Sequence, residues 1–112
     1  MSDCIFCKIA RGEIESEIVY SDDKVCAFKD VNPRAPVHIL IIPKRHVAGI
    51  ESVNSDEQKL LGHMILAARD IARKNSIDSS GYRILTNSGK DAGQVVQHLH
   101  FHLLGGEALK PI

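Results

Sequence analysis

Three histidines at alternate positions are the feature that most constrains how this chain can fold. The segment from His98 to Leu104 reads HLHFHLL, a polar–apolar pattern with a period of two. Side chains of a β-strand point to opposite faces in turn, so the apolar residues predict a core-facing side. The histidines then share the other side. We therefore predict a strand over 97–104 that carries one row of imidazoles.

This row of imidazoles needs a chemical explanation, because a solvated strand face ordinarily carries Lys, Glu, Thr or Ser. Metal binding is one possibility, since zinc hydrolases use histidine ligands. However, His98 and His102 are separated by about 13 Å along a strand, so one ion cannot take all three rings. Nucleophilic and acid–base catalysis is the other, because crowded imidazoles stay neutral and a neutral ring can attack phosphorus or carbon. The spacing favours nucleophilic catalysis.

The rest of the pattern predicts an α+β fold with a largely antiparallel sheet. Short β-branched runs are separated by turn residues, and prolines interrupt the segment before the third strand. That third strand is predicted to be central. The predicted strands cover 18–20, 25–29, 37–42, 82–86 and 97–104.

Two helices are predicted, one short and one long. Asp3 is expected to open a helical turn over 3–11, and Ser55 with Gln58 has the spacing of a capping box. The long helix carries two adjacent apolar stripes, which are wider than the stripe of about 100° that packs on one sheet. Either a partner subunit covers the extra surface or the helix is sunk in one core. The stripes are Leu60, Met64, Ala67 and Ile71, and Leu61, Ile65, Ala68 and Ala72.

Composition excludes several classes of protein. The 112 residues include 14 Lys and Arg and 14 Asp and Glu, so the formal net charge is zero, which argues against binding to nucleic acid. The longest apolar run, Ile39–Ile42, is far shorter than the roughly 20 residues of a membrane span. The length predicts one domain over 1–112. The first residues show no secretory signal, so we expect the protein in the cytoplasm. Cys26 is expected to be a small buried apolar side chain.

At the histidine segment the chain resembles the histidine-triad (HIT) superfamily, whose signature alternates histidine and apolar residues in this way. Other segments resemble the Hint branch of that superfamily, in the same order along the chain: 4–9, 30–38, 41–46, 81–83, 92–94 and 104–106. The resemblance implies the HIT fold, a five-stranded sheet extended across a homodimer. It also implies hydrolysis of purine nucleoside 5′-phosphoramidates, with a purine nucleotide as ligand and no cofactor for catalysis.

The resemblance also implies residue roles. His100 matches the nucleophile, which forms a nucleotidyl-histidine intermediate, and His98 orients its ring through the backbone carbonyl. His102 and His38 match the histidines that handle the phosphate oxygens and the leaving-group proton. Asp30 matches the carboxylate that holds the ribose hydroxyls. Without the resemblance, a histidine at position 38 also fits a buried core residue, and an aspartate at position 30 fits a turn.

The remaining nucleotide contacts implied by the resemblance form two groups. The phosphate side matches Asn87, Gly93 and Gln94. The apolar purine and ribose cleft matches Phe6, Ile9, Ile14, Phe28, Val31 and Leu40. Some similar proteins hold a structural zinc ion on residues that match Cys4, Cys7, His46 and His98.

The chain departs from the Hint pattern at Val95, where a serine that donates to the phosphate is common. This departure keeps open a non-catalytic nucleotide-binding or scaffold protein. A second alternative is hydrolysis of dinucleoside polyphosphates, but Gly105 and Gly106 stand where that branch has a basic segment.

Overall fold

A computed structural model describes residues 4–112, which form one five-stranded sheet with a short and a long α-helix. This is the predicted α+β architecture. Three short 3₁₀ turns in this range lie at Ile50–Ser52, Ser55–Glu57 and Lys90–Ala92. The main elements are α1 (Ile5–Ala10), β1 (Ile18–Ser21), β2 (Val25–Lys29), β3 (Val37–Pro43), α2 (Gln58–Lys74), β4 (Tyr82–Leu85) and β5 (Phe101–Gly105).

The sheet is antiparallel throughout and has the strand order β1-β2-β3-β5-β4. The prediction that β3 is central is confirmed, since it pairs with β2 on one side and β5 on the other. Ile41 and Ile42 in this strand have no exposed surface. A strand buried on both faces needs apolar side chains at consecutive positions, which explains the uninterrupted run in β3.

The two faces of the sheet are used differently. One face packs against α2, and Ile39, Ile41 and Leu103 belong to one core cluster with Met64 and Ile71 there. On the other face, Cys26, Phe28, Leu40 and Ile42 pack with Phe6 and Ile9 of α1. Cys26 is a free and buried cysteine in this second cluster, as predicted. Burial of each large aliphatic or aromatic side chain contributes roughly 1.5–3 kcal/mol.

The prediction of a fifth strand over 97–104 is wrong at its beginning. Regular pairing of β5 starts at Phe101, and 97–100 follow an irregular path. The backbone N–H of Leu99 donates instead to the carbonyl of Val47, with a donor–acceptor distance of 2.6 Å. The fourth strand also ends one residue early, at Leu85, and the hydroxyl of Thr86 donates to the carbonyl of His100 at 2.7 Å.

Both helix starts differ from the prediction. Cys4 is the N-cap of α1, and its Sγ accepts the backbone N–H of Cys7, whereas Asp3 lies outside the described residues. The capping box before α2 is formed by Asn54 and Glu57, and not by Ser55 and its partner three residues on. Asparagine caps helices as well as serine does, so the pattern was ambiguous by one residue.

The wide apolar surface of α2 is only partly buried within this chain. Met64, Ala67, Ala68, Ile71 and Ala72 are buried against the sheet. In contrast, Ile65 is 42% and Leu66 is 50% exposed. Of the residues in the two predicted stripes, only Ile65 is therefore exposed, and the other seven are buried or partly buried in the core of this chain. No helix within 4–112 is both long and apolar enough to cross a membrane.

A carboxylate joins the β1–β2 turn to α2. Asp22 Oδ2 accepts the Tyr20 hydroxyl at 2.5 Å and lies 2.7 Å from His63 Nε2. Asp22 Oδ1 accepts the backbone N–H groups of Lys24 and Val25, each at 2.8 Å. Partial burial acts to raise the pKa of Asp22, but these hydrogen bonds outweigh it and hold the pKa well below its usual range.

We predict that Asp22→Asn destabilises the protein by about 1 kcal/mol at neutral pH, because the carboxylate is partly solvated. A depressed carboxyl pKa adds stability above the pKa of the unfolded chain, and this stability is lost as the pH falls through the native pKa. The difference between the two proteins in urea-unfolding free energy should therefore shrink from neutral pH to about pH 3. Asp23→Asn, at the exposed neighbouring aspartate, should change the unfolding free energy by less than about 0.5 kcal/mol. A difference independent of pH would contradict the assignment.

Candidate active site

A cleft of ≈ 740 Å³ lies on the sheet face that carries α1. Side chains with even numbers in β2, β3 and β5 point to this face, as the alternation of a strand requires. Phe28, Leu40 and His102 lie on its floor, and Phe6 comes from α1. The volume is that of a small-molecule site with an apolar wall and a few polar groups.

Most of the predicted site residues line this cleft. His38, His100 and His102 lie together in it, and so do Asp30, Asn87 and Gly93. The predicted apolar residues in the cleft are Phe6, Ile9, Ile14, Phe28, Val31 and Leu40. Val31 and Val95 are both 88% exposed, so they lie at the rim and not at the floor. His98 and Gln94 do not line the cleft.

His100 has one ring nitrogen occupied and one free. Its Nδ1 lies 2.7 Å from the carbonyl oxygen of His98, an acceptor that requires a proton on Nδ1. The neutral ring therefore has an unprotonated Nε2. The ring is buried to 6% exposure, and Phe6 makes an edge-to-face contact with it at 5.1 Å between ring centroids. This hydrogen bond gives His100 the tautomer that a nitrogen nucleophile needs.

His38 and His102 form a directed hydrogen-bonded chain. The backbone N–H of Arg34 donates to His38 Nδ1 at 3.0 Å, so the proton of the neutral His38 ring is on Nε2. That nitrogen lies 2.9 Å from His102 Nδ1 and 3.3 Å from Asp30 Oδ2. His102 Nδ1 is thus an acceptor, and its own proton is on Nε2. Arg34 was not predicted, because its contribution comes from the backbone.

The cleft holds these imidazoles in the neutral form. The pKa of His102 is lowered to about 4, mainly by burial and to a smaller extent by the nearby rings of His100 and His38. Burial also lowers the pKa of His38, against an opposing effect of Asp30. Mutual repulsion of crowded rings, the cause inferred from the sequence, is thus the smaller contribution. A neutral ring donates from one nitrogen and accepts at the other, as the hydrogen-bonded chain from Arg34 through His38 to His102 requires.

Cys4, Cys7, His46 and His98 form a second group, the cysteine–histidine cluster. Its donor atoms lie within 4.8 Å of one another. His98 Nδ1 is 3.2 Å from both Cys4 Sγ and His46 Nδ1, and Cys7 Sγ is 3.4 Å from His46 Nδ1. The Nε2 of His98 donates to the carbonyl of Pro43 at 2.8 Å, which leaves Nδ1 unprotonated. Two thiols and two imidazoles are a tetrahedral zinc donor set, and a carbonyl behind the histidine completes the usual arrangement. These residues fit a zinc ion.

A further group of possible metal donor atoms, within 4.8 Å of one another, belongs to Asp30, His38 and His102. The directions of their hydrogen bonds do not suit a metal ion. A metal-bound histidine donates its other N–H to an acceptor. The other nitrogen of His38 accepts a backbone N–H, so its Nε2 carries a proton in place of a free lone pair. This group is suited to moving or directing a proton.

Gln94 holds the loop beside the cleft in place. Its Nε2 donates to the carbonyls of Ala48 and Val96 at 2.7 and 3.0 Å, and its Oε1 accepts the N–H of Gly89 at 2.9 Å. Both the amide nitrogen and the amide oxygen of Gln94 are therefore hydrogen-bonded to backbone groups. Gly93 in the same loop has φ of 86°, a left-handed conformation that favours glycine. The structure thus places Gly93 at the cleft and Gln94 behind it.

The fold and site define an α+β protein whose sheet presents buried neutral histidines to an apolar cleft. The HIT domain family model matches residues 11–109. The purine nucleoside phosphoramidase of Escherichia coli K12 is 46% identical over 110 residues, which are 98% of this chain and 92% of that protein. An uncharacterized HIT-like protein of Synechococcus elongatus is 50% identical over 107 residues, which are 96% of this chain and 93% of that protein.

The solved structures agree. A histidine triad protein from Clostridium difficile has a TM-score of 0.98 and 45% identity, with 100% of this chain and 97% of that chain covered. A HIT family hydrolase from Legionella pneumophila has a TM-score of 0.95 and 44% identity, with 96% of each chain covered. This chain belongs to the HIT domain family. Cys4 and Cys7 lie outside the matched residues, so the family match carries no information about the two thiols of the cysteine–histidine cluster.

We predict that Gln94→Glu lowers the unfolding free energy by about 1–3 kcal/mol, because a carboxylate oxygen then faces two carbonyl oxygens. Urea unfolding at neutral pH measures the change. Gln97→Glu is a matched control, since Gln97 is exposed and donates only a longer hydrogen bond of 3.3 Å to the carbonyl of residue 94. It should cost less than about 0.5 kcal/mol. Equal stabilities of the two variants would show that the Gln94 amide does not hold the loop.

Proposed function

We propose that this protein hydrolyses purine nucleoside 5′-phosphoramidates to the nucleoside monophosphate and an amine. The observation that carries the proposal is the hydrogen bond from His100 Nδ1–H to the carbonyl of His98, which leaves Nε2 as a free nucleophile in the cleft. The E. coli relative named as a purine nucleoside phosphoramidase supports this substrate class.

The reaction proceeds in two displacements at phosphorus. His100 Nε2 attacks the α-phosphorus, and the P–N bond to the amine breaks with its electron pair going to the amine nitrogen, which takes up a proton. The product is a nucleotidyl-histidine. Water then attacks the same phosphorus and gives one proton to the neutral His102, the bond from phosphorus to His100 Nε2 breaks with its electron pair returning to that nitrogen, and the nucleoside monophosphate leaves. No metal ion or cofactor takes part in either step.

His102 and His38 serve the phosphate and the leaving group. The neutral His102 carries its proton on Nε2, from which it donates a hydrogen bond to a phosphate oxygen. An anionic phosphate in the cleft raises the pKa of His102, so that the ring takes up a second proton, and this imidazolium gives one proton to the departing nitrogen and returns to the neutral form. His38 accepts the Arg34 N–H and donates to His102, and it thereby fixes the tautomer of His102.

The nucleotide occupies the remainder of the cleft. The purine packs against an apolar wall that includes Phe6, Phe28 and Leu40, and Asp30 accepts the ribose hydroxyls. Asn87 and the loop at Gly93 supply neutral donors for the phosphate. The side chain of Val95 at the rim has no hydrogen-bond donor for the phosphate.

We predict that His100→Ala folds and binds nucleotide but loses at least about 10⁴-fold in kcat, because it removes the nucleophile. Release of amine from adenosine 5′-phosphoramidate measures the rate, and intact-mass spectrometry after a rapid acid quench detects the nucleotidyl-protein. His63→Ala is the matched control, since His63 lies on α2 and pairs with Asp22. It should retain the rate. Undiminished hydrolysis by His100→Ala would overturn the proposal.

A parallel assay with diadenosine polyphosphate distinguishes the proposed phosphoramidase from a dinucleoside polyphosphate hydrolase. The proposal expects the phosphoramidate to be much the better substrate by kcat/KM. A preference for the polyphosphate would establish the dinucleoside polyphosphate hydrolase. No turnover of either substrate, with nucleotide still bound, would indicate a binding or scaffold protein.

Three further properties belong to this proposal. We expect zinc to occupy the cysteine–histidine cluster, where it joins three segments of chain and takes no part in the chemistry. We expect the whole chain, 1–112, to act as one domain in the cytoplasm. We also expect a homodimer, in which the sheet continues through the edge strand β4 and the exposed side of α2 is covered.

We predict that Leu66→Glu converts the dimer to a monomer, because the carboxylate would be buried in the interface. Sedimentation velocity measures the mass. Ile18→Glu is the control, because Ile18 is similarly exposed but lies in β1 at the opposite edge of the sheet. It should stay dimeric. A wild-type protein of monomer mass would remove the dimer from the proposal.

A further inference from the structure

The cysteine–histidine cluster joins three segments that also build the cleft. Cys4 and Cys7 flank Phe6 at the start of α1, and Phe6 contacts the ring of His100. His46 follows β3, and His98 precedes β5. The cluster and the cleft are therefore two sides of the same polypeptide segments.

His98 belongs to both sites through different atoms. Its side chain is fully buried, with Nε2–H bonded to the carbonyl of Pro43 and Nδ1 directed at the cluster. Its backbone carbonyl accepts the Nδ1–H of His100. The atom that can bind a metal and the atom that sets the tautomer of the nucleophile are thus held in one residue.

The segment that carries these atoms is held by buried side chains and not by sheet pairing, since His98, Leu99 and His100 are all buried. Residues 97–100 lie outside the regular sheet pairing. The hydrogen bonds that hold their backbone include Leu99 N–H to the carbonyl of Val47 and the Thr86 hydroxyl to the carbonyl of His100. Thiols are weak hydrogen-bond partners, and His46 is exposed, so the cluster alone contributes little rigidity. Four bonds to one ion would fix the segment.

We infer that zinc in the cysteine–histidine cluster positions the His100 nucleophile through the backbone carbonyl of His98. The positional part of this inference is independent of the reaction, and its catalytic part rests on the proposed function. Removal of the ion should lower kcat by about 10- to 100-fold, because small displacements of a reacting group are costly. KM should rise by a smaller factor, because only Phe6 of the apolar-wall residues Phe6, Phe28 and Leu40 lies between cluster ligands, while Phe28 and Leu40 lie in β2 and β3.

The test compares the zinc-loaded protein, the protein freed of zinc by a chelator, and His46→Ala, in which the substituted side chain is exposed. Elemental analysis gives the zinc content of each. Nuclear magnetic resonance gives the tautomer of His100 and the exchange rate of the Leu99 amide, and phosphoramidate hydrolysis gives kcat and KM. We expect loss of zinc to remove the single Nδ1–H tautomer of His100, speed exchange at Leu99 and lower kcat. Returning zinc to the chelated protein should restore all three.

Asp22→Asn controls for general loss of stability. The side-chain partners of Asp22 are Tyr20 and His63, and neither belongs to the cluster. The substitution should lower stability without changing zinc content, the tautomer or kcat. The inference is overturned if zinc-free protein keeps the tautomer, the exchange rate and kcat, or if the protein binds no zinc. If His46→Ala does not fold, the chelated protein and its reconstitution decide the outcome. If the zinc-loaded protein shows no hydrolysis, the proposed function fails, while the tautomer and exchange measurements still decide the positional coupling.

Discussion

Backbone pairing between β3 and β5 is the constraint on which the cleft depends. In this register Leu40 lies opposite His102, and His38 lies opposite Leu104. His38 and His102 are therefore diagonal neighbours on one face, close enough for the hydrogen bond of 2.9 Å between their rings. A shift of the register by one residue would turn these imidazoles into the apolar core beneath α2. The aliphatic residues at alternate positions in both strands exclude that shift, so the core determines the geometry of the polar face.

The role of each histidine follows from the partner of its second ring nitrogen. A backbone carbonyl takes the proton of His100 Nδ1 and that of His98 Nε2, and each ring then has a free lone pair on its other side. One of these lone pairs is in the cleft and the other is in the cysteine–histidine cluster. In His38 the second ring nitrogen, Nδ1, accepts a backbone N–H, so the proton of the neutral ring is on Nε2 and can be donated. Three chemically identical side chains thus present a free lone pair to the cleft, a free lone pair to the cluster and a donating N–H to His102, because the main chain differs around them.

Sequence patterns predicted the features that depend on local spacing. The alternation through Phe101 and Leu103 identified the buried and imidazole faces, and the apolar run of β3 identified the central strand. Features that depend on which of several similar groups becomes the hydrogen-bond partner could not be predicted from the sequence. Nothing in the segment before Phe101 shows that Leu99 bonds to Val47, so the fifth strand was predicted to begin too early. The amide of Gln94 matched a phosphate contact by resemblance, yet backbone groups of Gly89 and Val96 in its own loop and of the distant Ala48 occupy it. Its position beside Gly93 gave no sign of this.

The order of residues along the chain establishes which positions are apolar and in what period, and this was enough to predict a five-stranded sheet with one helix-covered face and one histidine-bearing face. Which nitrogen of each ring is free depends on the folded molecule. The same is true of the turn of His98 away from the cleft toward Cys4, Cys7 and His46, and of the exposure of Ile65 and Leu66 on α2. The physical reason is that periodicity depends on neighbours along the chain, whereas a tautomer or a ligand set depends on atoms brought together from distant segments.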